Sequence, residues 1–307
     1  MTRIIAITGS NPGVGKTQIA VNISLELVRR GRQVALFHLP DEEGASIERI
    51  IDIQPLVERR KHAADGHGDE HIISRGYIGI DILSCEVPLR EWVQTADDTL
   101  THCVHAMEVE DGYEDFLVDT SGMGPREQVS CCLASPLVIL VITPEAQSQA
   151  EAFALLRVLQ LNGFSGDVRV LVNRAHSAVD ATDIHQSFSR EVRSHLGVGI
   201  GPPLILPEDA GVSRAERYRQ AFSAVFPDSE AAAGIVVIAD ALEGMPGDPS
   251  AGALFDYWGR FIETIRSPIR LPGKVLLDTA TDTVSDTVED VSGVRGERPA
   301  GSVPAGH

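Results

Sequence analysis

The sequence predicts an α/β fold with a mostly parallel central sheet and helices on both faces. Three observations carry that reading. Short, nearly all-apolar runs recur along the chain, segments with helical periodicity separate them, and a glycine-rich loop joins the first run to the first helix. A strand that is apolar at every position is covered on both sides, and alternation with helices is how a parallel sheet obtains such cover. The composition agrees, because 43% hydrophobic and 23% charged residues in a chain of 307 are those of an ordinary globular protein with a sizeable core.

Taken in order, strands are predicted over residues 4–8, 34–37, 78–83, 116–118, 137–143, 168–172 and 204–206. The segments 16–30, 147–161 and 183–196 place apolar residues at helical spacing. These elements fit one domain spanning residues 1–245. The break Gly244-Met245-Pro246-Gly247-Asp248-Pro249 ends it, and residues 250–274 then read as a separate amphipathic helix. Leu254, Phe255, Trp258, Phe261, Ile262 and Ile265 share one face of that helix, with Arg260, Arg266, Arg270 and Lys274 set against Asp256 and Glu263. Two readings stay open: an interfacial helix on an anionic membrane surface, or a helix docked on its own domain. Residues 275–307 turn to Thr, Asp, Ser, Gly and Pro and are predicted to form a disordered tail.

Charge and cysteine content narrow the function classes. Acidic side chains number 44 against 26 basic ones, and a net charge of −18 repels polyphosphate, so nucleic acid is an unfavoured partner. Cys85, Cys103, Cys131 and Cys132 lack CxxC spacing and are expected as reduced thiols. The N-terminal apolar run is cut short by Gly9, which does not suit a signal peptide, and no run of about 18 apolar residues occurs. A cytoplasmic protein is expected, with a peripheral position at the inner face of the cell membrane if the 250–274 helix meets lipid. Three histidines in His62–His71 lie among Asp65, Asp69 and Glu70, but their spacing matches no metal-ligand motif and the segment reads as a loop.

The most informative segment is Gly9-Ser10-Asn11-Pro12-Gly13-Val14-Gly15-Lys16-Thr17, between the first strand and the first helix. Strand, glycine loop, Lys-Thr and helix make a nucleotide phosphate cradle. Gly13 and Gly15 admit close backbone approach, Lys16 bridges phosphates, and Thr17 offers a hydroxyl to Mg²⁺. Ser10 stands where the strict GxxxxGK[ST] pattern has glycine.

This loop resembles that of the MinD/ParA class of deviant P-loop ATPases, and within the class the sequence is similar to the FlhG (FleN, YlxH) regulators of flagellar number and placement. The resemblance covers about 240 residues and rests on a succession of segments. Tyr113-Glu114-Asp115-Phe116-Leu117-Val118-Asp119-Thr120-Ser121-Gly122 resembles a strand followed by switch II. Thr143-Pro144-Glu145, Leu171-Val172-Asn173-Arg174, Pro207-Glu208-Asp209 and Phe226-Pro227-Asp228-Ser229 follow in the family's order.

The resemblance implies ATP and Mg²⁺ as cofactors, with ADP as the spent nucleotide. The nucleotide residues it implies are Gly13, Val14, Gly15, Lys16, Thr17, Gln18, Asn173, Arg174, Pro207 and Glu208, with Asn173 reading the adenine edge. Thr17 and Asp119 would hold the metal. A nucleotide-dependent homodimer and flagellar-placement proteins are the implied partners.

The sequence departs from the family at three places. The signature lysine that crosses the dimer falls at Asn11, and the next residue is Pro12, which lacks an N–H. The carboxylate that positions the attacking water falls at Pro40, leaving Asp41 as the sole candidate if the register shifts by one. Slow or absent hydrolysis is therefore expected, with nucleotide binding retained. Only Met1 and Thr2 precede the first strand, so stimulation of a partner GTPase by an N-terminal segment is not expected. The competing readings are a DNA-coating ParA-type partitioning ATPase, a nucleotide-free scaffold, and an iron–sulfur protein built on Cys131 and Cys132.

Overall fold

The computed structural model describes residues 2–9, 12–39, 47–55, 72–85, 112–245, 247 and 253–275. Ser10, Asn11, Pro40, Asp41, the histidine-rich segment 62–71 and the tail from 276 onward lie outside them. The strands are β1 (Arg3–Thr8), β2 (Val34–His38), β3 (Gln54–Pro55), β4 (Ile72–Tyr77), β5 (Ile80–Cys85), β6 (Asp115–Asp119), β7 (Leu137–Ile142), β8 (Asp167–Ala175) and β9 (Leu204–Pro207). They form one sheet in the order β3-β4-β5-β2-β6-β1-β7-β8-β9. From β5 to β9 every neighbouring pair is parallel, while β3–β4 and β4–β5 are antiparallel.

The central strands are buried along their whole length, as their unbroken apolar runs require. On one face α1 (Lys16–Arg29) packs with α5 (Ala210–Arg217), α6 (Phe222–Val225) and α7 (Glu230–Glu243). On the other lie α2 (Pro125–Ala134), α3 (Ala146–Leu161), α4 (Ala178–Leu196) and α8 (Ala253–Arg266). Successive strand residues divide between the faces: Ile5 and Ile7 pack on the first face, and Ile4 and Ala6 on the second, in two separate clusters.

Local chemistry sets the element ends. The α4 helix starts five residues before the predicted 183–196, because Ser177 caps it by accepting from the Asp180 amide at 3.0 Å, and Gly197 ends it at φ 67°. The strand predicted over 78–83 begins at Ile80. Ile78 (φ 46°) and Gly79 (φ 85°) form the turn of a hairpin that adds β4 antiparallel, next to the edge strand β3.

The segment predicted as one helix over 250–274 stops at Arg266. Arg126 of α2 donates its Nε to the Ile265 carbonyl at 2.8 Å and a terminal nitrogen to that of Ser267 at 2.7 Å, closing the helix end. A short hairpin of β10 (Arg270–Leu271) and β11 (Lys274–Val275) follows in place of further helix. Asn162 at the end of α3 pins it, accepting from the Arg270 amide at 2.8 Å and donating to the Arg270 carbonyl at 2.9 Å.

The apolar face of α8 is turned onto the domain. Leu254, Trp258, Phe261 and Ile265 are buried, Ile262 is partly covered, and Phe255 alone of the six is exposed. The Trp258 ring meets Phe37 of β2 edge-on at 5.0 Å and Phe116 of β6 at 6.2 Å. Of the two readings left open this arrangement is the docked one, and burial of each large side chain on the sheet contributes about 1.5–3 kcal/mol to keeping the helix in place. Among the described residues no helix is long and apolar enough to cross a membrane.

Candidate functional site: a phosphate cradle at the sheet switch point

The site forms where β1 ends and α1 begins, at the carboxyl edge of the parallel strands. Gly13 (φ 77°) and Gly15 (φ 99°) both adopt left-handed backbone, so the loop curls back onto the first turn of α1. Space as well as φ demands glycine at 15, because a Cβ there would lie 2.5 Å from Nδ2 of Asn173. No side chain caps α1, which leaves its first-turn amides and its positive dipole end for an anion.

The end of β8 holds this loop. Asn173 donates Nδ2 to the Val14 carbonyl at 2.7 Å and accepts from the Arg174 amide at 2.9 Å. Arg174 donates to the Gly13 carbonyl at 2.7 Å from a β-bulge, with its own φ at 56°. Lys16 Nζ donates to the Gly9 carbonyl at 3.0 Å and is only 8% exposed. Burial lowers its pKa from the ordinary lysine value, and Asp119 acts in the opposite sense.

Asp119 closes β6 with no exposure, next to β1 and β2. Its Oδ1 accepts from the Ser121 amide at 3.0 Å and the Ser121 hydroxyl at 2.6 Å, and its Oδ2 lies 3.0 Å from Nδ1 of His38. Burial by itself would raise the Asp119 pKa, but His38 first, then Ser121 and Thr17, favour the anion enough to hold it below the usual carboxylate range.

A cavity of about 680 Å³ opens over these groups. Gly13, Gly15, Lys16, Thr17 and Gln18 line its phosphate end, and Asn173, Arg174, Pro207 and Glu208 line another wall. That volume suits a nucleotide-sized ligand.

No family model matches the chain. It is 26% identical over 251 residues to the antiactivator FleN of Pseudomonas aeruginosa, which covers 80% of this chain and 87% of that protein. An uncharacterized ATP-binding protein of Methanocaldococcus jannaschii is 24% identical over 246 residues, covering 80% of this chain and 89% of that one. Among solved structures, the septum site-determining protein MinD of Pyrococcus horikoshii complexed with Mg-ADP superposes with a TM-score of 0.56 at 20% identity, over 80% of this chain and 97% of that one. The MinD cell division protein of Aquifex aeolicus gives 0.53 at 18% identity, over 81% and 100%. A ParA family ATPase from Chlorobium tepidum gives 0.53 at 17%, over 78% and 99%. The chain has the MinD/ParA-type P-loop fold.

In this chain of MinD/ParA-like fold the structure brings nine of the ten expected nucleotide residues to the cavity wall. Val14 is the tenth; its side chain is buried in the core and its carbonyl serves Asn173. Asn173 differs in emphasis from its expected part in adenine reading. Its amide is already tied to the loop, leaving one N–H and one lone pair for a base. Glu208 is exposed and sits 3.1 Å from His176. Asp209 caps α5 by accepting from the Gly211 amide at 2.6 Å.

Cys131 and Cys132 are buried on α2, facing two different cores. Burial pushes the Cys132 thiol up to about 12 and Cys131 further in the same direction, as for packing residues rather than cluster ligands. Among the described residues no group of three or more His, Cys, Asp or Glu is placed to hold a metal ion.

Sequence reasoning missed two residues. Gln128 of α2 donates to Thr8 Oγ1 at 2.8 Å and to the Gly9 carbonyl at 3.1 Å, supporting the same carbonyl that Lys16 uses. His38 is the more consequential, and a signal for it was present. Val-Ala-Leu-Phe-His and Asp-Phe-Leu-Val-Asp are parallel neighbours of equal length, so the polar ends His38 and Asp119 fall in register.

Proposed function

We propose that this chain is an ATP- and ADP-binding MinD/FlhG-like switch that regulates the placement or number of a polar assembly such as the flagellum, with slow turnover. The observation that carries it is the cradle: two left-handed glycines, an uncapped helix start and the buried Lys16 converge at one end of a nucleotide-sized cavity. The similarity to the antiactivator FleN supports a regulatory output, and the sequence resemblance to the MinD/ParA class implies a nucleotide-linked homodimer. Mg²⁺, when bound, would offset phosphate charge, and Thr17 and Asp119 supply the hard oxygen atoms it takes. The rest falls to the chain's own groups: loop amides and Lys16 bind phosphate, and Asn173 and Arg174 hold the loop shape.

Calorimetry with ATP and ADP tests the reading. Lys16 is the cation within the cradle, and charge-assisted bonds to phosphate are worth about 1.5–3 kcal/mol each. Lys16→Ala should lower ATP affinity by about a hundredfold or more while leaving the melting temperature close to that of the parent. Unchanged affinity in a folded variant would overturn the assignment. A ParA-type, DNA-coating role is opposed by the net charge of −18, and tight ATP-dependent DNA binding in a salt titration would restore it.

A further inference from the structure

The Asp119 carboxylate is largely engaged within the protein. An ionised carboxylate offers about four lone-pair sites. Here the Ser121 amide and hydroxyl take two on Oδ1 and His38 takes one on Oδ2. Because a carboxylate only accepts, Nδ1 of His38 carries the proton it donates. The pair is sealed, with His38 at 2% exposure and Asp119 at zero.

These three bonds are not equivalent toward a metal ion. Thr17 lines the cavity and can offer its hydroxyl oxygen to the ion. Mg²⁺ dehydrates reluctantly and retains several waters, so it reaches a buried carboxylate mostly through water protons. Of the acceptor sites open to those protons, His38 and Ser121 occupy three. Ser121 is tied in by its backbone, only two residues from Asp119. His38 arrives from the neighbouring strand and occupies the other oxygen.

We propose that His38 is a positioning residue that competes with the water shell of a divalent cation for Asp119, so that the loop amides and Lys16 hold nucleotide with little help from Mg²⁺. The inference rests on the nucleotide reading above and adds the metal dependence of that site. Expelling His38 would leave a buried imidazole and a buried carboxylate each short of a partner, which is costly relative to leaving the pair intact.

The test uses the full chain and compares ATP and ADP affinities in millimolar MgCl₂ with those in EDTA. In the parent the two should agree within about threefold. His38→Ala frees an acceptor site and should open the ratio to about tenfold or more in favour of Mg²⁺. His38→Asn restores an N–H donor at that position and should return the ratio toward the parent's. Paramagnetic resonance of Mn²⁺ with ADP supplies a second readout: the free-ion signal should persist with the parent and His38→Asn and fall with His38→Ala.

If His38→Ala does not fold, the parent's MgCl₂-to-EDTA ratio and Mn²⁺ signal decide. A tenfold or larger gain from Mg²⁺ in the parent, or a folded His38→Ala indistinguishable from it, overturns the inference while leaving nucleotide binding intact. No binding of either nucleotide in either buffer overturns the nucleotide reading, and this inference with it.

Discussion

At the scale of single residues, two glycines of the cradle separate conformational strain from steric exclusion. Gly13 and Gly15 both have positive φ, but an added Cβ meets nothing within 4 Å at Gly13 and meets the Asn173 amide at Gly15. Gly13→Ala should therefore cost only the left-handed penalty, about 1–2 kcal/mol. Gly15→Ala must also displace Asn173 from the loop, so its ATP affinity should fall well below that of Gly13→Ala in the same calorimeter. Equal losses would mean that Asn173 does not brace the loop.

Asp119 gives a pH signature. Its folded pKa lies below the unfolded value of about 3.9, so the unfolded chain takes up the proton first as the solution is acidified. Its stabilisation is complete above the unfolded value and is lost as pH falls toward the folded one. Urea midpoints measured from pH 6 down to pH 3 should fall for the parent, and Asp119→Asn should flatten part of that decline.

At the scale of elements, α8 shows both the reach of sequence reading and its limit. Its apolar stripe and its break from the domain were legible, because a 3.6-residue period needs no tertiary information. Its partner was not, since the same stripe suits lipid or a sheet face. In the structure the stripe lies on the sheet face, with Trp258 against Phe37 and Phe116. Trp258→Ala should then cost about 3–5 kcal/mol of folding stability, whereas Phe255→Ala on the exposed side should stay within about 0.5 kcal/mol. A Trp258→Ala protein with parent-like urea midpoint that instead loses binding to anionic vesicles would return the helix to the membrane.

The sheet follows the same logic. The central strands were legible from their unbroken apolar runs, but β4 was not, because Ile-Ile-Ser-Arg-Gly-Tyr interrupts its run with polar and small residues. The turn after it places Ile78 at positive φ, where turn chemistry leads one to look for Asn or Gly. In the site, the loop and its ligand-facing residues were legible from glycine spacing. The His38 pairing depended on strand order, which a single sequence does not display.

At the scale of the whole molecule, the expected behaviour is binding with little turnover. The cross-dimer lysine implied by resemblance is replaced by Asn11, and the water-positioning carboxylate by Pro40. A neutral amide cannot offset phosphate charge across a dimer, and a proline side chain cannot orient water. Each such group is commonly worth a few kcal/mol to a transition state, so losing both suppresses hydrolysis far more than binding. ATP and a non-hydrolysable analogue should consequently drive the same dimer population in light scattering, and that population should persist while phosphate release stays at the level of Lys16→Ala. Asn11→Lys combined with Pro40→Asp should raise phosphate release and shorten the life of the ATP dimer without changing ADP affinity. Brisk release by the parent, abolished by Asp41→Ala, would show instead that Asp41 positions the water and that the switch is displaced by one residue.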